Sequence, residues 1–163
     1  MTAIEPIFDE NRDLTLERVI DATPQAVFDA WIDPAKLPQW WGPHGMTTPV
    51  CEIDARPGGL FRTVMRAPDG AEYPTQGVFL LLAPGRRLVF TDAFDPDWRP
   101  SAKPFFTADV RFEDLDGKTR LTAFARHWTV EDRETHERMG FANGWAQTLE
   151  RLDACVSQQS RAA

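Results

Sequence analysis

Six strand-like segments follow one another between Met46 and Trp128 with no helical crossover between them: Met46–Ala55, Leu60–Arg66, Tyr73–Leu82, Arg86–Phe94, Lys103–Glu113 and Lys118–Trp128. Short turns separate most of them: ARPGG (55–59), APDGAE with Asp69-Gly70 at its tip, Ala83-Pro84-Gly85 and LDGK. A looser stretch, DPDWRPSAKP, precedes the fifth. Strands joined this closely run antiparallel, because a parallel return needs a dozen residues or more. In the fifth segment Phe106, Ala108, Val110 and Phe112 share a face; in the sixth Leu121, Ala123, Ala125 and His127 do. Asp109 and Arg111 then face the other way, as a solvated cross-strand set. Pro57 before Gly58-Gly59 signals a tight turn needing positive φ. No helix and no Lys-Ser/Thr follows it, which argues against a phosphate loop.

The flanks are helical. Leu14–Ala22 reads as a strand, and Thr23-Pro24 then supplies an N-cap and a first-turn proline for a helix, PQAVFDAWI. Asp33-Pro34 repeats the signal for a second short helix, AKLPQWW, limited by Pro38 and ended by Gly42-Pro43. Leaving that helix lets the adjacent indoles diverge, Trp40 inward and Trp41 along the turn. The chain closes with a long helix of about 28 residues, ~40 Å at 1.5 Å each, with Thr129 and Asp132 approximating a capping box. Ala142, Trp145, Leu149, Leu152 and Val156 form its apolar stripe, widened by Phe141, Thr148 and Cys155. Glu150, Arg151, Gln158 and Gln159 lie on a solvated side, and SQQSRAA reads as a frayed tail.

The order β-α-α-β-β-β-β-β-β-α in 163 residues predicts one domain, 1–163, with its core over about 14–156. The acidic start, MTAIEPIFDENRD, reads as a flexible lead-in and not a signal peptide. No apolar run is long enough to span a membrane. A net charge of −7 opposes nucleic acid and anionic membranes as partners. Cys51 and Cys155 are far apart, with no Cys/His cluster near either. Small buried hydrophobes are therefore expected, with no metal, no cofactor and a cytoplasmic setting. A homodimer stays open, since many small sheet proteins pair.

A curled sheet and a straight helix cannot touch along their whole length, so the layout predicts a concave apolar cavity between them. The expected lining from the helical parts is Trp31, Trp40, Phe141, Trp145 and Leu149. From the strands it is Phe61, Met65, Phe79, Phe90, Phe106, Ala108, Val110, Leu121, Ala123 and His127. Thr91 and Asp92, near a strand end, could border it. His127 is the candidate for orienting a ligand or for acid/base work. His44 is expected in solvent after the tryptophans, and His136 in solvent early on the last helix. Gly140 and Gly144 allow close approach of helix to sheet or, alternatively, room for a ligand beside Trp145. No nucleophile elbow and no distinct carboxylate pair is present.

Several motifs in order carry a family resemblance: Thr23-Pro24 with Val27 and Trp31, Asp33-Pro34, Trp40-Trp41-Gly42-Pro43, Asp54 through Gly59, Asp69-Gly70, Gly77, Leu88 through Thr91, Thr119 through Thr122, and Gly144-Trp145 with Leu149 and Leu152. Together they resemble the START-like (SRPBCC) superfamily, in the branch named after the activator of the heat-shock-protein-90 ATPase. The resemblance implies an α+β helix-grip fold: a curved antiparallel sheet of six or seven strands around a long C-terminal helix, with two short helices after the first strand. It also implies three functional readings. The first is binding of a small hydrophobic or aromatic molecule. The second is an enzyme of polyketide cyclase/dehydratase or hydrolase type in the same cavity, with His127 as acid/base. The third is a protein-interaction or chaperone ATPase-regulating module. The family's eukaryotic co-chaperone has an additional N-terminal domain that these residues do not contain, which ranks the third reading last.

Overall fold

The strand and helix signals come together in a computed structural model that describes residues 7–162. The first six residues of the lead-in, MTAIEP, and the final Ala163 lie outside the described residues. After β1 (Asp13–Ile20), Thr23 caps α1 (Pro24–Ile32), its hydroxyl accepting the Ala26 amide at 3.3 Å, and Pro24 sits where no donor is needed. The second short helix is a single 3-10 turn, Leu37–Gln39, with Pro38 inside it.

The strands that follow are β2 (Thr47–Ile53), β3 (Leu60–Arg66), β4 (Glu72–Ala83) and β5 (Arg87–Thr91), then β8 (Phe106–Leu115) and β9 (Lys118–His127). Together with β1 they form one seven-stranded antiparallel sheet in the order β1-β9-β8-β5-β4-β3-β2. The looser stretch holds a separate two-residue pairing, β6 (Phe94–Asp95) with β7 (Arg99–Pro100). The β8–β9 register places Phe106 opposite His127, Ala108 opposite Ala125, Val110 opposite Ala123 and Phe112 opposite Leu121. The shared faces read from the sequence therefore meet side by side.

The other face of β8 corrects an expectation. Asp109 is buried, not solvated. Arg87 and Arg111 reach its carboxylate at 2.9 and 3.1 Å, and Arg126 at 3.4 Å. Burial alone would raise this carboxyl; the hydrogen bonds from Arg87 and Arg111 overcome it and hold the group below the usual carboxylate range. Long guanidinium side chains covered the carboxylate in a way alternation could not predict.

The C-terminal helix is two helices, α2 (Val130–Arg138) and α3 (Phe141–Ala162), so a continuous 28-residue rod is also corrected. Gly140 takes φ of +92°, a conformation that glycine alone adopts without strain, and the helix breaks there. The sequence VEDRETHER of α2 has no apolar stripe, so nothing drives it along the same line as α3. Helix α3 continues through Ala162 across the segment read as a frayed tail.

The solid core lies under α1 and the C-terminal half of α3. Trp31, Leu37, Trp40, Leu149 and Leu152 are fully buried there, against Leu88, Val110 and Leu121 of the sheet.

Candidate functional site

Toward its N-terminus, α3 parts from the sheet, and a hollow opens in two lobes. The larger, about 370 Å³, is walled by Met65 of β3, Thr75 of β4, Phe105, Phe106, the Trp41-Gly42-Pro43 turn, and His136, Met139, Gly140, Phe141, Gly144, Trp145 and Thr148 of the C-terminal segment. The smaller, about 110 Å³, lies between Phe61, Thr75–Gly77, Phe90–Asp92 and Phe106. Trp41, Thr75, Phe106 and Trp145 line both. For scale, an apolar cavity of about 150 Å³ accepts benzene.

Trp41 divides hollow from core. Its ring lies 5.7 Å from Trp31 and 5.4 Å from Trp40 on the packed side, and 5.6 Å from Phe61 and 5.9 Å from Trp145 on the cavity side. Arg151 fixes the turn that carries it: Nη1 donates to the carbonyls of Trp41, Gly42 and Pro43 at 2.9, 2.8 and 3.2 Å. Arg151 is thus half-buried and engaged, not part of a solvated side. Its neighbour Glu150 is exposed and pairs with the exposed His44 at 3.0 Å.

The far wall is a chain of hydrogen bonds. The Arg12 carbonyl accepts the His127 amide at 3.0 Å and lies 2.7 Å from His127 Nδ1. His127 Nε2 lies 2.9 Å from His136 Nδ1. His136 is buried, contrary to the solvated position expected, because the break at Gly140 turns α2 back over β9. Phe105, Phe106 and Phe141 surround its ring at centroid distances of 5.2, 5.0 and 5.0 Å. Burial, then the neighbouring His127, lower the His136 pKa from 6.5 to about 4. Asp92 holds the two phenylalanines, its carboxylate accepting the Phe105 amide at 2.9 Å and the Phe106 amide at 3.2 Å. Burial raises the Asp92 carboxyl in spite of these bonds.

Of the lining proposed from the sequence, Phe61, Met65, Phe90, Phe106, Phe141 and Trp145 lie on the cavity wall. Trp31, Trp40, Phe79, Ala108, Val110, Leu121, Ala123 and Leu149 do not; they are buried in packed protein. The sheet face that carries Ala108, Val110, Leu121 and Ala123 continues beneath α1, which fills the space with Trp31. His127 stands behind His136 and does not line the hollow. Trp40 is seated under α1 by its Nε1 donating to the Ala30 carbonyl at 3.1 Å, so the cavity-lining indole of the pair is Trp41. Gly140 and Gly144 make room beside Trp145 and do not let the helix touch the sheet. A Cβ on Gly144 would meet only Pro43, at 3.7 Å, and one on Gly140 nothing within 4 Å.

Sequence reasoning missed Phe105, His136 and Met139. The aromatic spacing around His136 becomes visible only after the helix break. Among the described residues no group of three His, Cys, Asp or Glu is placed to hold a metal, and no helix is long and apolar enough to cross a membrane.

A seven-stranded antiparallel sheet curled around a C-terminal helix, with an apolar hollow at their parting, defines a helix-grip protein of the START-like class. Residues 21–157 match the family described as Activator of Hsp90 ATPase homolog 1-like protein, and the chain belongs to that family. The chain is similar to a Nitrosomonas europaea protein known from its crystal structure, with 34% identity, 96% of this chain and 100% of that chain covered, and a TM-score of 0.90. It is similar to the AHSA1 protein of Silicibacter pomeroyi, at 30% identity, 90% and 99% covered, and a TM-score of 0.69. A Chromobacterium violaceum protein of known crystal structure is 26% identical, with 89% and 97% covered and a TM-score of 0.74. No curated protein matches the sequence.

Proposed function

We propose that this protein binds a small apolar or aromatic molecule in the hollow between α3 and the sheet. The observation that carries the reading is the larger lobe, about 370 Å³ walled by Trp41, Met65, Phe106, Phe141 and Trp145. An apolar occupant would take the aromatic wall of that lobe out of water. Affinity would come from apolar area at about 25 cal/mol per Å², less the cost of association. The test is native mass spectrometry of protein purified from its own host, with thermal-shift measurements against a broad apolar panel. A co-purifying small molecule, or a panel member that raises Tm, is expected. A bare protein mass with no shift across the panel would overturn the reading.

A second reading, an enzyme in the same hollow, is favoured by His136 at its wall with His127 hydrogen-bonded behind it. A binder releases its ligand unchanged; an enzyme releases a new mass. The family's name supports a third, regulation of a chaperone ATPase. Stimulation of that ATPase by the purified protein would establish it. We place the protein in the cytoplasm, acting without cofactor, nucleic acid or membrane. Fractionation and the solution mass test this placement and the homodimer.

A further inference from the structure

The polar groups around the hollow are nearly all engaged with one another. The hydroxyls of Thr75 and Thr63 lie 2.7 Å apart, and those of Thr91 and Thr107 2.9 Å apart. Gln76 donates to Asp95 at 3.0 Å, Thr148 donates to the Gly144 carbonyl at 2.9 Å, and Asp92 accepts two backbone amides. The indoles of Trp41 and Trp145 carry N–H donors on the wall, but one bare acceptor nitrogen stands apart. His136 Nε2 has no hydrogen-bond partner among the described residues, although His136 is only 9% exposed and its ring lines the larger lobe.

The character of that nitrogen follows from the chain behind it. A carbonyl oxygen only accepts, so His127 Nδ1 carries the hydrogen that reaches the Arg12 carbonyl. When both rings are neutral each has one N–H, so His127 Nε2 is then a bare acceptor and His136 Nδ1 donates to it. That leaves His136 Nε2 bare as well. The Arg12 backbone thus sets the tautomer of a ring two hydrogen bonds away, and the hollow is offered a lone pair. No lysine or arginine lines either lobe, so an anionic ligand finds no countercharge.

We infer that His136 Nε2 is the recognition point of the cavity, and that its ligand is a neutral aromatic or apolar molecule bearing one hydroxyl or N–H donor, phenols being the simplest class. This rests on the binding reading above. Phe106, Phe141 and Trp145 would hold the ring system and His136 would fix its orientation.

The test compares 2-naphthol with 2-methoxynaphthalene, which keeps the rings and the oxygen but lacks the donor. Isothermal titration of the full chain should show 2-naphthol binding about fivefold to tenfold tighter, the worth of one good hydrogen bond. His136→Phe should abolish that preference while retaining binding of the methoxy compound. Equal affinities in the unaltered protein would overturn the inference and leave the apolar binding site standing. Neither probe binding the folded protein would overturn both. A measurement free of ligand and mutation completes the test: ¹⁵N NMR of the histidine rings should find His127 and His136 both protonated at Nδ1. A proton on His136 Nε2 in the neutral form would overturn the inference even if every variant failed to fold.

Discussion

The two ends of the space between α3 and the sheet differ, although one helix and one sheet bound both. At the C-terminal end of α3, Leu149, Leu152 and Val156 join Trp31, Leu37 and Trp40 in one buried core. At the N-terminal end, Phe141, Gly144 and Trp145 face open space. The difference is a third body. Helix α1 and the 3-10 turn lie over one end only, and their tryptophans fill the gap that sheet curvature leaves. Where that plug stops, at Trp41, the gap persists. The lesson is that curvature makes the hollow, and the connection after the first strand decides how much of it survives.

Substitutions on the two sides should therefore have unequal costs. Trp31→Ala, in the filled end, should lose ~3–5 kcal/mol, because it leaves a void inside packed protein. Trp145→Ala, on the wall of an existing hollow, should lose less than half as much. Urea denaturation of the two variants checks this, and equal losses would erase the distinction between the ends.

The open end should also be the acid-sensitive one. His136 has a folded pKa of about 4 in place of 6.5. Between those values the unfolded chain binds more protons than the folded one. Stability is therefore complete above the window and falls as pH drops through it, by up to ~3 kcal/mol. The fall should be much shallower in His136→Phe, measured as the difference in urea midpoint between pH 7 and pH 4.5. An unchanged slope would remove His136 from the account.

The boundary between the ends depends on Arg151. Its Nη1 serves three carbonyls of the Trp41 turn, and Arg151→Met strips them of that donor. A loss of ~2 kcal/mol is expected, the scale of hydrogen bonds to a charged group, along with weaker binding of any cavity probe as Trp41 loses its support. Probe affinity equal to that of the unaltered protein would show that the turn holds without Arg151.

The smallest effect should be a gain. Gly144→Ala adds a methyl with only ordinary contact to Pro43, at 3.7 Å, and removes a helix-weakening glycine. Stability should rise by ~0.5–1 kcal/mol, while the larger lobe shrinks and its bulkiest ligands bind less well. A stability loss would mean that the hollow is already filled at that point.

The alternation of apolar residues and the spacing of turns determined the sheet by themselves. A strand's two faces are written at period two, and short connections leave only antiparallel pairing, so Phe106 and His127 were assigned to one face from sequence and stand opposite each other in the register. The stripe Trp145, Leu149, Leu152 and Val156 determined the helix face in the same local way, although Ala142, placed at its start, is exposed. The tertiary structure alone decided the rest. It selected Trp41 over Trp40 for the cavity, because the choice turned on a hydrogen bond to Ala30 on another helix. It buried Asp109 beneath three arginines from three strands. It brought His136, on a helix with no apolar stripe, against His127 and three phenylalanines. Each of these depends on where separate elements meet, and periodicity along a chain carries no information about that.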